Sequence, residues 1–101
     1  MGLDVLMYDD CNRLVSLYEI NEELHKVIFS SHKRWESYSY LKKLKNYYRT
    51  NEEFSGELLE GLICDLNCYK PLMAAEYHTT LQLFLEAISD NKVKRIRISG
   101  D

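Results

Sequence analysis

Three histidines and three cysteines are the side chains whose ordinary reactivity suits acid-base, nucleophilic or metal chemistry near neutral pH. Their spacing brings few of them together. His25, His32 and His78 fall in no H-E-x-x-H pattern, and none sits in a Cys-His arrangement with a third member to orient it. Cys64 and Cys68 are four residues apart, so on a helix they share a face and could meet a metal with His78 or Cys11. Zinc sites usually combine two such short pairs, and this chain has one. The plainer expectation is that Cys64 and Cys11 are small buried hydrophobes. Neither G-x-x-x-x-G-K-[ST] nor G-x-G-x-x-G occurs, so no phosphate-cradling loop is expected. The expectation is a protein that is not an enzyme, with no catalytic residue, metal or cofactor.

Binding chemistry has a stronger signal. Residues 26–49 hold seven of the 13 Lys and Arg residues against one acid, Glu36, interleaved with Trp35, Tyr38, Tyr40, Tyr47 and Tyr48. Residues 1–25 carry six acids against Arg13, and residues 50–69 carry five acids and no base. Such sorting implies one basic surface on a body of net charge -3. Cations neutralise phosphates and aromatic rings stack on unpaired bases, so the block fits an RNA surface. It also fits a solvated face beside a core that takes up the rings, a stripe of Lys42, Lys45 and Arg49 that pairs with Glu53, Glu57 and Glu60 of this or another copy, or a face for a protein partner. The candidate binding residues are Lys33, Arg34, Lys42, Lys45 and Arg49 of this block, with Lys94, Arg95 and Arg97 near the C-terminus.

The elements that must position these residues read as helices. Cys11, Leu14, Val15 and Tyr18 lie at i, i+3, i+4 and i+7, which predicts a short amphipathic helix capped by Asp9 or Asp10. Asn21 before Glu22 and Glu23 predicts a second helix from about residue 22. Its early stripe, Leu24, Val27, Ile28 and Trp35, points away from Leu41 and Leu44, which predicts a break near residues 36–39. After the break Lys42, Lys45 and Arg49 line one face. Thr50 and Glu53 match a capping box, predicting a helix from about 51 with Phe54, Leu58, Leu59, Leu62, Ile63 and Leu66 inward. The short link before it predicts an antiparallel helical hairpin. Pro71 starts a further helix, buried through Tyr77, Leu81, Phe84, Leu85 and Ile88. Residues 92–98 alternate cations with Val93, Ile96 and Ile98, the spacing of a strand.

The predicted fold class is therefore all-α: a compact bundle of four to five helices over residues 1–91, with a short extended basic C-terminal tail over 92–101 that orders on binding. At 101 residues, 46% hydrophobic and 29% charged, with one Pro, the chain is expected to be globular. An odd cysteine count and no secretory leader predict an intracellular protein of cytoplasm or nucleus. No apolar run approaches the ~20 residues of a membrane span. Two function classes follow. The first is a non-catalytic protein-protein interaction module, an adaptor or a small regulator or inhibitor subunit of a larger complex. The second is an RNA-binding or ribonucleoprotein subunit using residues 26–49 and the tail. A homo-oligomer is also open through complementary charged stripes.

Overall fold

Residues 3–8 set the architecture. Leu3, Val5 and Met7 alternate with Asp4, Leu6 and Tyr8, and a strand sends such alternate residues to opposite faces. The computed structural model, which describes residues 3–30, 34–46 and 49–100, has this segment as strand β1, Leu3–Tyr8. Leu3, Val5 and Met7 are completely buried on one face. β2, Leu14–Ile20, returns beside it as a hairpin, pairing Leu3 with Ile20, Val5 with Tyr18 and Leu6 with Leu17. The predicted helix over 11–18 is thus a strand. Its caps are turn residues: the Asp9 carboxylate accepts from the backbone N–H of Cys11 and of Arg13, each at 2.9 Å, and Asn12 takes the left-handed conformation that closes the loop. Asp and Asn serve an Asx-type turn as readily as a helix start, and here the tertiary pairing decides.

β3, Asn51–Ser55, and β4, Arg95–Ser99, complete a four-stranded, wholly antiparallel sheet in the order β2-β1-β4-β3. The all-α bundle is therefore overturned: the fold is a mixed α/β one, a four-stranded sheet with three helices. The capping-box segment is β3 rather than a helix start, because Phe54 is needed inward against Ile96 while Glu53 turns outward against Arg97. The expected helical hairpin at 49–51 falls with it. The extended basic segment has the strand spacing expected, but it is no tail on a bundle. β4 lies between β1 and β3, with Ile96 and Ile98 fully buried.

The helices cover one face of this sheet. α1, Glu22–Phe29, begins where expected: Asn21 Oδ1 accepts from the Leu24 N–H at 2.9 Å, and Glu22 and Glu23 occupy its first turn. It stops at Phe29, before the expected break, and 3₁₀ turns follow at Arg34–Ser37 and Leu41–Leu44. α2, Glu57–Tyr69, starts after Gly56, whose φ of 54° and ψ of -126° suit glycine alone and turn the chain sharply out of β3. α3, His78–Ile88, follows short 3₁₀ turns at Lys70–Leu72, which holds Pro71, and Ala75–Tyr77. Leu24 and Ile28 of α1, Leu59, Leu62 and Leu66 of α2, and Leu81, Phe84, Leu85 and Ile88 of α3 join the inward residues of the strands in one core. Tyr69 is wholly buried, and its hydroxyl donates to the Ile28 carbonyl at 2.6 Å, tying α2 to α1. No helix among the described residues is long and apolar enough to cross a membrane.

Candidate interaction surface

The basic-aromatic block becomes a strap on the helical side. Leu41 and Leu44 are its buried anchors. Asp65 of α2 holds it from beneath, its Oδ2 accepting from the N–H of Tyr40 at 2.9 Å and of Leu41 at 3.2 Å. Gly61 lets the Tyr40 ring lie close on α2: a Cβ there would come within 2.5 Å of Tyr40 Cε2. Replacing Asp65 with Ala leaves those two half-buried donors without an acceptor, so Asp65→Ala is expected to lower stability by about 1 to 3 kcal/mol in urea unfolding. Asp65→Asn, which keeps an acceptor, is expected to lose less.

The aromatic rings of the strap serve the fold. Trp35 Nε1 donates to the Phe29 carbonyl at 3.0 Å, and the Phe29 and Trp35 rings meet edge to face. Tyr38 meets Tyr69 nearly at right angles. Tyr47 and Tyr48 lie outside the described residues, as does Lys33. What the strap offers to solvent is charge: Arg34, Lys42, Lys45 and Arg49 are exposed, and among the described residues no ion pair engages Lys42, Lys45 or Arg49.

The remaining candidate cations lie on the opposite side of the molecule, on the outer face of the sheet or beside it. Pairing places Leu17, Leu6, Arg97 and Glu53 in one row across the four strands, with Leu14, Tyr8, Arg95 and Ser55 in the next. Arg95 is engaged twice: Nη1 lies 3.2 Å from Glu53 Oε1, and the guanidinium sits 4.2 Å above the Tyr8 ring. Arg97 donates to Asn51 Oδ1 from both Nε and Nη2. Lys94 is exposed at the start of β4, its backbone N–H donating to the Tyr8 carbonyl. The seven described candidates are thus divided between two sides, and Arg95 and Arg97 spend their donors on neighbouring strands.

His32 lies outside the described residues, and among those described Cys64 and Cys68 form no three-ligand cluster with His78 or Cys11. All three cysteines are free and exposed, so Cys11 and Cys64 are not the buried hydrophobes expected: Cys11 lies in the hairpin loop and Cys64 on the solvent side of α2. The negative charges of Asp10 and Asp9 push the Cys11 thiol above its ordinary value. Cys68 is raised by its hydrogen-bonding contact with Cys64. A raised thiol is a poor nucleophile at neutral pH. Asp9, Asp10 and Cys11 lie within 4.8 Å of one another, but the Asp9 carboxylate is already occupied by two backbone donors and Arg13 Nε, 3.3 Å away. His78 Nε2 is bonded to the Met73 carbonyl.

His25 is 7% exposed, with Nε2 2.9 Å from the Leu44 carbonyl and its ring against Phe29. Burial holds it below the ordinary 6.5, outweighing the bond to Leu44, which acts the other way. The unfolded chain therefore binds this proton more readily than the native one. His25 costs no stability above pH 6.5, and stability falls as pH drops below 6.5 toward the native value. Unfolding measured from pH 7.5 to 5.5 is expected to show this loss, and His25→Gln to flatten it.

The surface that stands out is one the cation pattern does not reveal. Among the described residues β2 has β1 on one side and no strand on the other. Leu14, Val15 and Leu17 of β2 are 56%, 41% and 60% exposed, and Leu83 of α3 is 56% exposed. With Leu58 they are the exposed large hydrophobics among the described residues. α3 flanks this edge: Phe84 packs on Tyr18 with ring centroids 5.2 Å apart. A shallow cavity of about 270 Å³ opens between Val15 and Ser16 of β2 and Ala87, Asp90, Lys92 and Val93. Edges are normally blunted by charge, proline or shortness. The opposite edge, β3, follows that rule with five residues and two glutamates, whereas β2 has seven residues and a single charge, Glu19. Spacing concealed this edge, since Leu14, Val15 and Tyr18 fit one helical face, whereas the bulged strand sends Leu14 outward and Tyr18 inward.

No family model, curated protein or solved structure matches the chain.

Proposed function

We propose that this chain is a non-catalytic protein-protein interaction module, of the adaptor or small-regulator kind, that docks an extended segment of a protein partner along β2. The observation that carries the reading is the open, apolar edge of β2 with a side-chain-sized cavity beside it. An added strand pairs its backbone with such an edge, and alternate side chains of the newcomer are read by neighbouring hollows. A seven-residue apolar edge without proline or lysine is otherwise a standing aggregation hazard.

Exposed Lys42, Lys45 and Arg49 keep an RNA surface as the second reading. It is weakened by the internal use of Trp35 and Tyr38, which leaves the described part of the strap few rings for stacking. Recovery of partners on the immobilised chain separates the two. A protein-docking edge retains its partner after nuclease and in high salt, and Leu17→Lys releases it while the fold, checked by circular dichroism, persists. A phosphate-binding strap loses its partner to nuclease and salt, and to Lys42→Glu with Lys45→Glu, with Leu17→Lys silent. The second pattern would overturn the proposal.

A further inference from the structure

We infer that Cys64 and Cys68 form a surface dithiol site for a soft, two-coordinate monovalent cation, copper(I), independently of the β2 edge. The placement follows from the helix. Leu59, Leu62 and Leu66 bury one side of α2, which leaves Cys64 and Cys68, four residues apart, together on the solvent side and exposed. Burial of the opposite face fixes the helix beneath them, and each thiol has a single side-chain torsion to set, so little freedom is lost when both turn to one ligand. The two thiols are already in hydrogen-bond contact. The hydrogen between the sulfurs occupies the place that a cation bonded to both would take.

Spacing decides what the pair can do. A disulfide needs Cβ atoms about 3.5 to 4.5 Å apart, whereas residues four apart on a helix hold theirs roughly 5 to 6 Å apart. Closing an S–S bond would therefore distort α2 in the middle of its buried stripe. Metal–sulfur bonds of about 2.3 Å on either side of an ion bridge the wider gap with the helix unchanged. Zinc is a poor match, because it takes four ligands and no third His, Cys, Asp or Glu among the described residues closes a cluster with this pair. Asp65, the acid next to Cys64 in sequence, spends its Oδ2 on the N–H groups of Tyr40 and Leu41. Two sulfur ligands without a third donor suit copper(I), a soft ion that accepts linear coordination. The step is an exchange without redox: each S–H gives its proton to water as an S–Cu bond forms, and copper stays monovalent.

Anaerobic titration of the full chain with copper(I), delivered from its bicinchoninate complex in the presence of ascorbate, tests the site. The wild type is expected to take up one copper(I) per chain, with a thiolate-to-copper absorption band in the near ultraviolet. The loaded chain is expected to unfold at higher urea concentration, because the ion binds the folded pair in preference to the unfolded one. Groups that merely support metal ligands are worth about 10- to 100-fold in affinity, so Cys64→Ser and Cys68→Ser are each expected to cost more than about 100-fold and to remove the urea shift. Both positions are exposed, so both variants are expected to keep the fold by circular dichroism, and Cys11→Ser is expected to bind as the wild type does. Uptake that survives Cys64→Ser or Cys68→Ser, uptake that Cys11→Ser removes, zinc bound as tightly as copper(I), or a loaded chain no more resistant to urea than the unloaded one overturns the site.

Discussion

Removal of residues 92–101 is expected to abolish cooperative folding. β4 joins β1 to β3 in the sheet, and its loss leaves the β1-β2 hairpin and β3 without a common neighbour among the described residues. A two-stranded hairpin is at best marginal in water. Val93, Ile96 and Ile98 leave the core with it, all buried and the two isoleucines completely so. Fully burying side chains of this size contributes about 1.5 to 3 kcal/mol each, comparable in sum with the ~5 to 15 kcal/mol that holds a whole domain together. Circular dichroism and urea titration of the truncated chain should show no unfolding transition. A retained sharp transition would return this segment to the role of an accessory tail.

Phe84→Ala is expected to be the most damaging of the single truncations considered, costing about 3 to 5 kcal/mol. Phe84 is 1% exposed and packs on Tyr18, so it supports from beneath the strand whose outer edge is the proposed docking surface. The expected result in urea unfolding is a lower midpoint with an unchanged slope, together with weaker retention of a protein partner on β2 under conditions where the variant remains folded. A change below about 1 kcal/mol would mean that the site collapses without loss and that α3 does not brace β2.

The helices were legible in the sequence because their signals are local. Asn21 does cap α1, Leu59, Leu62 and Leu66 of the stripe expected in α2 are buried although Leu58 is 42% exposed, and Leu81, Phe84, Leu85 and Ile88 form the inward face of α3. The sheet was hidden because its signals are either ambiguous or distant. Leu14, Val15 and Tyr18 keep the helical period although the bulged strand sends Leu14 outward and Tyr18 inward, and Thr50 with Glu53 satisfies a capping box in a segment that becomes a strand. In β1 the outward Leu6 blurs an alternation that Leu3, Val5 and Met7 otherwise keep. Residues 95–99 carry strand spacing plainly, but their partners Asp4 to Tyr8 lie at the opposite end of the chain, beyond any local window. The candidate site inherits both effects. Clustered cations are visible in a sequence whether or not they are engaged, whereas an open strand edge is a property of the assembled sheet.

Hydrogen exchange on β2 tests the central claim most directly. Among residues 14–20, the amides that point away from β1 face no other strand among the described residues. They are expected to exchange quickly in the isolated chain, in contrast to the amides paired with β1, and to gain protection when a protein partner binds, with the gain lost in Leu17→Lys. Uniform protection of β2 in the isolated chain, or exchange on β2 that a bound protein partner leaves unchanged, would contradict an open docking edge.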